Sequence, residues 1–105
     1  MNNEPGQKII AHVDRDLADI VPDFLENRQK DCKLVLDALE KGDYETIRIL
    51  GHSMKGVGGG YGFDTITDLG ASIEQAAKDK NKVEIHNLIN KLMVYLDRVE
   101  VVYMD

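Results

Sequence analysis

Residues 43–62 read DYETIRILGHSMKGVGGGYG. Ile47, Leu50, Met54, Val57 and Tyr61 recur at steps of three and four, the spacing of one face of an α-helix. Yet Gly56, Gly58, Gly59 and Gly60 crowd the second half, and each glycine inside a helix costs about 0.5–1 kcal/mol relative to alanine. Either the helix stops at Lys55, or a surface without side chains is needed next to His52. An angular test separates these. At about 100° per residue, with Ile47 at 0°, the other four apolar residues fall between about 280° and 340°. They form one stripe centred near about 315°. The stripe keeps its phase through the glycines, so the sequence predicts one helix from about Asp43, which suits the N-cap, to Tyr61, with Gly62 as its stop. His52 falls at about 140°, nearly opposite the stripe, and is therefore exposed. Around it lie Glu45, Arg48 and Ile49 before, and Lys55, Gly56 and Gly59 after. Gly58 and Gly60 flank the stripe, where they would let neighbouring helices approach.

Outward from this helix the same period repeats. Leu17, Ile20, Val21, Phe24, Leu25, Cys32, Val35, Leu36 and Leu39 form the preceding run. Pro22 belongs in its first turn, Asp19 is a candidate N-cap and Gly42 is a natural C′ residue. Asp14–Val21 would be a lead-in turn or the start of a helix kinked at Pro22. Phe63, Ile66, Leu69, Ile73, Ala76 and Ala77 follow, with Thr65 and Asp68 spaced as a capping box and Lys78 and Lys80 at the C-terminal end. The last run opens at Asn81 and Glu84 and carries Val83, His86, Ile89, Leu92, Met93, Leu96, Val99 and Tyr103. No stretch alternates with period two for long enough to argue a strand. Residues 1–13 read as an N-terminal lead, loose and polar over 1–8. Residues 14–105 read as an all-α fold, an antiparallel four-helix bundle with a short lead-in helix or turn.

The chain has 105 residues, 43% of them hydrophobic, a formal net charge of −6 and a pI near 5.0. That is one domain able to build a core. An acidic chain with scattered lysines does not suit nucleic acid or an anionic membrane, since both need a clustered positive field. No apolar run approaches the roughly 20 residues of a membrane span, and no signal peptide opens the chain. Cys32 is the single cysteine, which excludes an internal disulfide and a CxxC metal site and leaves a small buried hydrophobe. A cytoplasmic protein is expected. No metal site is expected either: Glu84 and His86 are spaced two apart and share no helix face. His12 and His86 read as structural.

A single exposed histidine on a helix is usually only a solvated side chain. The combination changes that reading: an exposed imidazole, a lysine at i+3, and bare backbone at i+4 and i+7. A neutral imidazole nitrogen is a competent nucleophile. If the electrophile is phosphorus, Lys55 supplies positive charge one turn away, and glycine clears the approach for the protein that carries the phosphoryl group.

"HSMKGVGGGYG" resembles the histidine phosphotransfer (HPt) domain of bacterial multistep phosphorelays. That pattern is His-x-x-Lys-Gly with a further glycine six residues on, and His52, Lys55, Gly56 and Gly62 match it. "LGASIEQAAKDKN", with Glu74 in an isoleucine–Glu pair, is similar to the family's next helix. The resemblance covers about residues 14–103. It departs from the family in the glycine density at 58–60, where small polar or apolar residues are common. The resemblance implies that His52 is phosphorylated from the phosphoaspartate of a response-regulator receiver domain, passes the group to another receiver aspartate, and is assisted by Lys55. Glu45, Arg48, Ile49, Gly56 and Gly59 would meet the partner. The receiver would supply Mg²⁺, leaving this chain without a cofactor of its own, and a hybrid sensor histidine kinase is a further candidate partner. A monomer is implied. With no P-loop and no kinase-type glycine motif, no autokinase activity is expected. Two other readings stand beside this one: the phosphoaccepting substrate domain of a chemotaxis-type histidine kinase, and a docking bundle that is never phosphorylated.

Overall fold

The structure is a computed structural model that describes residues 8–105. It is mostly helical, with four helices and a small parallel strand pair. In chain order these are β1 (Ile9–Asp14), α1 (Val21–Glu40), α2 (Tyr44–Gly58), α3 (Asp64–Lys78), α4 (Lys82–Arg98) and β2 (Val99–Met104). Single 3₁₀ turns at Arg15–Leu17 and Gly59–Tyr61 follow β1 and α2.

Local chemistry fixes most helix ends. The Asp43 carboxylate accepts from the Thr46 N–H at 3.1 Å and from its hydroxyl at 2.6 Å. The Asn81 side chain accepts from the Glu84 N–H at 3.1 Å. Both satisfy a first-turn donor that has no carbonyl partner within the helix. Two expected caps do not form. α1 starts after Ile20, one residue beyond Asp19, and has no side-chain cap. α3 starts at Asp64, so Thr65 already lies inside the helix and makes no box with Asp68.

Three helices end in the same way. Gly42 at φ +67°, Gly62 at φ +88° and Lys80 at φ +52° turn left-handed. At each, that residue's N–H reaches back three residues and the next N–H reaches back five: Gly42 to Leu39 and Asp43 to Ala38, Gly62 to Gly59 and Phe63 to Gly58, Lys80 to Ala77 and Asn81 to Ala76. This is the Schellman arrangement, which satisfies the last free carbonyls. Glycine adopts the turn freely, whereas lysine does so against the contact of its Cβ with the backbone.

The helices pack α1 on α2, α2 on α3, α3 on α4 and α4 on α1. Val35, Ile47, Met54, Phe63, Ile66, Ile73, Ile85, Ile89 and Leu92 are fully buried among them. Phe24 stacks on Tyr61 at 4.3 Å and on Phe63 at 5.5 Å between ring centres, which ties α1 to the end of α2.

The strand pair departs from the sequence reading. β1 and β2 run parallel in register from Ile9 opposite Val99 to Asp14 opposite Met104. Ala11 and Val13 are buried in the common core. The expected boundary between residues 13 and 14 therefore falls inside a strand, and residues 9–13 of the expected lead belong to the folded domain. Residues 1–7 of that lead lie outside the described residues. Leu96, Val99 and Tyr103 sit at helical spacing, but Val99, Val101 and Tyr103 also alternate. Two six-residue strands are short, and pairing across the whole chain decides between the two periods. No described helix is long and apolar enough to cross a membrane.

Candidate functional site

The glycine-rich stretch is helical. α2 is α-helical through Gly58 and tightens to 3₁₀ over Gly59–Tyr61, with Gly58 at φ −58° and Gly59 at φ −64°. The helix does not stop at Lys55. Its buried arc is nevertheless not the predicted one. Ile47, Gly51, Met54 and Gly58 are buried, while Leu50, Val57 and Tyr61 are only half-buried. On the same wheel that arc centres near about 10° instead of 315°. Two glycines set it, so a stripe counted from apolar side chains points too far round.

The cause lies in α3. A Cβ on Gly51 would sit 2.7 Å from the Glu74 nitrogen and 2.9 Å from the Gly70 carbonyl oxygen. A Cβ on Gly70 would sit 2.6 Å from the Lys55 nitrogen and 2.8 Å from the Gly51 oxygen. The two backbones touch here because neither helix carries a side chain at the crossing. Gly58 does the same one level on, where a Cβ would lie 2.7 Å from the Thr67 nitrogen.

This crossing delivers Glu74 to the edge of α2. Its carboxylate is the one buried charged side chain among the described residues, 7% exposed. Oε2 lies 3.0 Å from His52 Nδ1, and Oε1 lies 2.8 Å from Lys55 Nζ. Lys78 Nζ stands 4.0 Å from Oε2. The hydrogen bond from Lys55, then the one from His52, hold the Glu74 carboxyl below its ordinary value of 4.5 against the opposing effect of burial. An ionised carboxylate only accepts hydrogen bonds. Nδ1 of His52 is therefore the protonated nitrogen, and in the neutral ring the lone pair sits on Nε2. The imidazole side chain is 66% exposed and the Lys55 side chain 42%.

The remaining predicted residues fall as follows. Glu45 and Arg48 form a two-point ion pair on the surface, Nε to Oε1 at 2.9 Å and Nη2 to Oε2 at 2.6 Å. Ile49 is exposed at 53%. A Cβ on Gly56 would meet nothing within 4 Å, whereas one on Gly59 would touch the Thr67 hydroxyl at 3.4 Å. Gly60, read as a packing position, is open, and a Cβ there meets nothing. His12 and His86 are exposed and away from this cluster. Cys32 is buried, and burial pushes its thiol up to about 11, which makes it inert.

Sequence reasoning gave no role to Gly51, Gly70 or Glu74. The signal for Glu74 was available: an acid directly after Ile73, inside a run whose other members face the core. Sequence reasoning took Glu74 only as part of the family likeness. No family model, no curated protein and no solved structure matches this chain.

A buried anion thus holds, by one nitrogen, an imidazole whose side chain is largely exposed. The ammonium group shares the same anion, and no side chain stands at Gly56. That arrangement suits nucleophilic attack by Nε2 on an electrophile carried by a large partner.

Proposed function

We propose that the chain is a phosphotransfer domain of the HPt kind, built as an antiparallel four-helix bundle, in which His52 carries the phosphoryl group. The observation that carries this reading is the Glu74 bridge to His52 Nδ1 and to Lys55; with the proton on Nδ1, the nucleophilic nitrogen is Nε2, on a side chain that is 66% exposed. The resemblance of His52, Lys55, Gly56 and Gly62 to the HPt pattern supports it.

The reaction balances without a cofactor held by this chain. Nε2 forms a bond to phosphorus as the acyl-phosphate P–O bond of a receiver aspartate breaks, and the aspartate leaves as carboxylate. The ring then carries positive charge with its proton still on Nδ1, 3.0 Å from the Glu74 carboxylate. That anion stabilises the charged intermediate. Transfer to a second receiver aspartate reverses the step. Lys55 balances the negative oxygens in flight, and the receiver contributes Mg²⁺.

Incubation with a phosphorylated receiver tests this. The expected product is an acid-labile, alkali-stable phosphoprotein that His52→Gln does not form. A label that persists in His52→Gln, or no labelling by any receiver of the source organism, refutes the reading. Labelling only by an ATP-bound kinase domain favours the chemotaxis-type alternative.

A further inference from the structure

Three nitrogens surround the Glu74 carboxylate, and they are not held alike. Lys55 Nζ touches Oε1 at 2.8 Å and His52 Nδ1 touches Oε2 at 3.0 Å. Lys78, the last residue of α3 and one turn beyond Glu74, holds its Nζ 4.0 Å from the same Oε2. That is close enough to feel the charge and too far for a hydrogen bond. A carboxylate accepts about four hydrogen bonds, so Oε2 has room for a second donor. The Lys78 side chain is 51% exposed, at the end of its helix, and is free to swing. Arg48, the other cation on the exposed face of α2, is already committed to Glu45 at two points.

This standby position has a use if His52 carries a phosphoryl group, and the inference rests on that reading. A phosphoryl group brings a charge of about −1.5 to −2 at pH 7. On Nε2 it lies across the ring from Glu74, because the two ring nitrogens face apart. Contact with its oxygens therefore takes the Lys55 ammonium away from Oε1. A buried carboxylate would then lose its lysine partner, which is costly, and would be tethered only to the ring it has to position. We propose that Lys78 is a positioning residue for His52: as Lys55 turns to the phosphoryl group, Lys78 closes on Glu74 and keeps the carboxylate, and through it the ring, in place. The closure is a movement of about 1 Å, from charge contact to hydrogen bond. Lys78 touches neither the ring nor the phosphoryl group and acts through Glu74.

Nuclear magnetic resonance of the ¹⁵N-labelled full chain tests this, with phosphoramidate as the phosphodonor. Its P–N bond breaks as Nε2 bonds to phosphorus, and ammonia leaves. A donor this small has no docking surface, so no partner protein covers Lys78. Lysine ammonium protons give sharp signals only where an ion pair slows their exchange with water. Before phosphorylation a protected signal is expected from Lys55 and none from Lys78; after it, Lys78 becomes protected. Lys78→Met should leave Tm and the His52 ring shifts of the unphosphorylated chain unchanged. In the phosphorylated chain it should speed exchange of the Nδ1 proton about fivefold, and Lys78→Arg should restore the parent rate. An ordinary surface pair at i and i+4 would act alike with or without the phosphoryl group. A Lys78 signal unmoved by phosphorylation, or equal Nδ1 exchange in parent and Lys78→Met, overturns this inference and leaves phosphotransfer standing. If His52 accepts no phosphoryl group from phosphoramidate or from a phosphorylated receiver, the phosphotransfer reading falls and this inference falls with it.

Discussion

Gly51→Ala adds one methyl group at the crossing of α2 and α3. On an open helix face it would stabilise by about 1 kcal/mol. Here the new carbon starts 2.7 Å from the Glu74 nitrogen and 2.9 Å from the Gly70 oxygen, about 0.7 Å short of the 3.4 Å at which ordinary contact begins. Both obstacles are backbone, so no rotamer change relieves them and the helices must separate. Overpacking of this kind costs about 1–3 kcal/mol, and rigid backbone places it near the upper end. After the helix-propensity gain, the net loss is about 2 kcal/mol, a fall in Tm of roughly 8–16 °C for a domain of this size. Gly56→Ala is the internal control, because its Cβ meets nothing within 4 Å. It should raise Tm by roughly 4–8 °C. Circular dichroism melts of the two variants side by side measure both. Equal shifts of the same sign would show that the helices are not held at backbone contact, and would remove the explanation given for the position of Glu74.

Other expectations follow from named contacts. Lys80→Gly should stabilise by about 1 kcal/mol, because it relieves a left-handed residue at the end of α3; an unchanged or lower Tm contradicts that. The Glu74 carboxyl is depressed in the folded state, so its stabilising contribution is whole above its ordinary value of 4.5 and is lost as pH falls below it. Urea midpoints across that range should therefore fall less steeply for Glu74→Gln than for the parent, and parallel curves would refute the linkage. Gly56→Leu should keep or raise Tm yet slow transfer from a phosphorylated receiver, and transfer at the parent rate would end the clearance argument. Ile49→Ser should leave Tm almost unchanged at a side chain 53% exposed while weakening receiver binding by about 1–2 kcal/mol. A loss of stability without a loss of affinity, by calorimetry, would take Ile49 out of the interface.

How much was legible depends on whether a signal was local. The helical continuity of α2 through the glycines, the stop at Gly62 and the cap at Asp43 are written within a few residues of where they act, and they were readable. The exposure of His52 and its neighbourhood to Lys55 and Gly56 followed from helix geometry alone. Glu74 did not, because its place beside His52 depends on how closely two helices approach, and that distance is set by an absence of side chains at Gly51 and Gly70. A hydrophobic count gives glycine no weight, so the buried arc of α2 was placed about 55° from its observed centre. The strands failed for a related reason. Val99, Val101 and Tyr103 satisfy two periods at once, and the partner that selects between them is β1, at the other end of the sequence.

The parallel pairing of β1 with β2 also fixes how the molecule carries mechanical load. The chain enters at the Ile9 end of one strand and leaves at the Met104 end of the other, and these ends point in opposite directions along the pair. Tension across the two ends therefore slides one strand lengthwise past the other instead of peeling them apart. The inter-strand hydrogen bonds are strained together rather than one by one, and the ion pairs Lys8–Glu100 and Arg15–Asp105 brace the two extremities. The four helices feel no pull until that short clamp gives way.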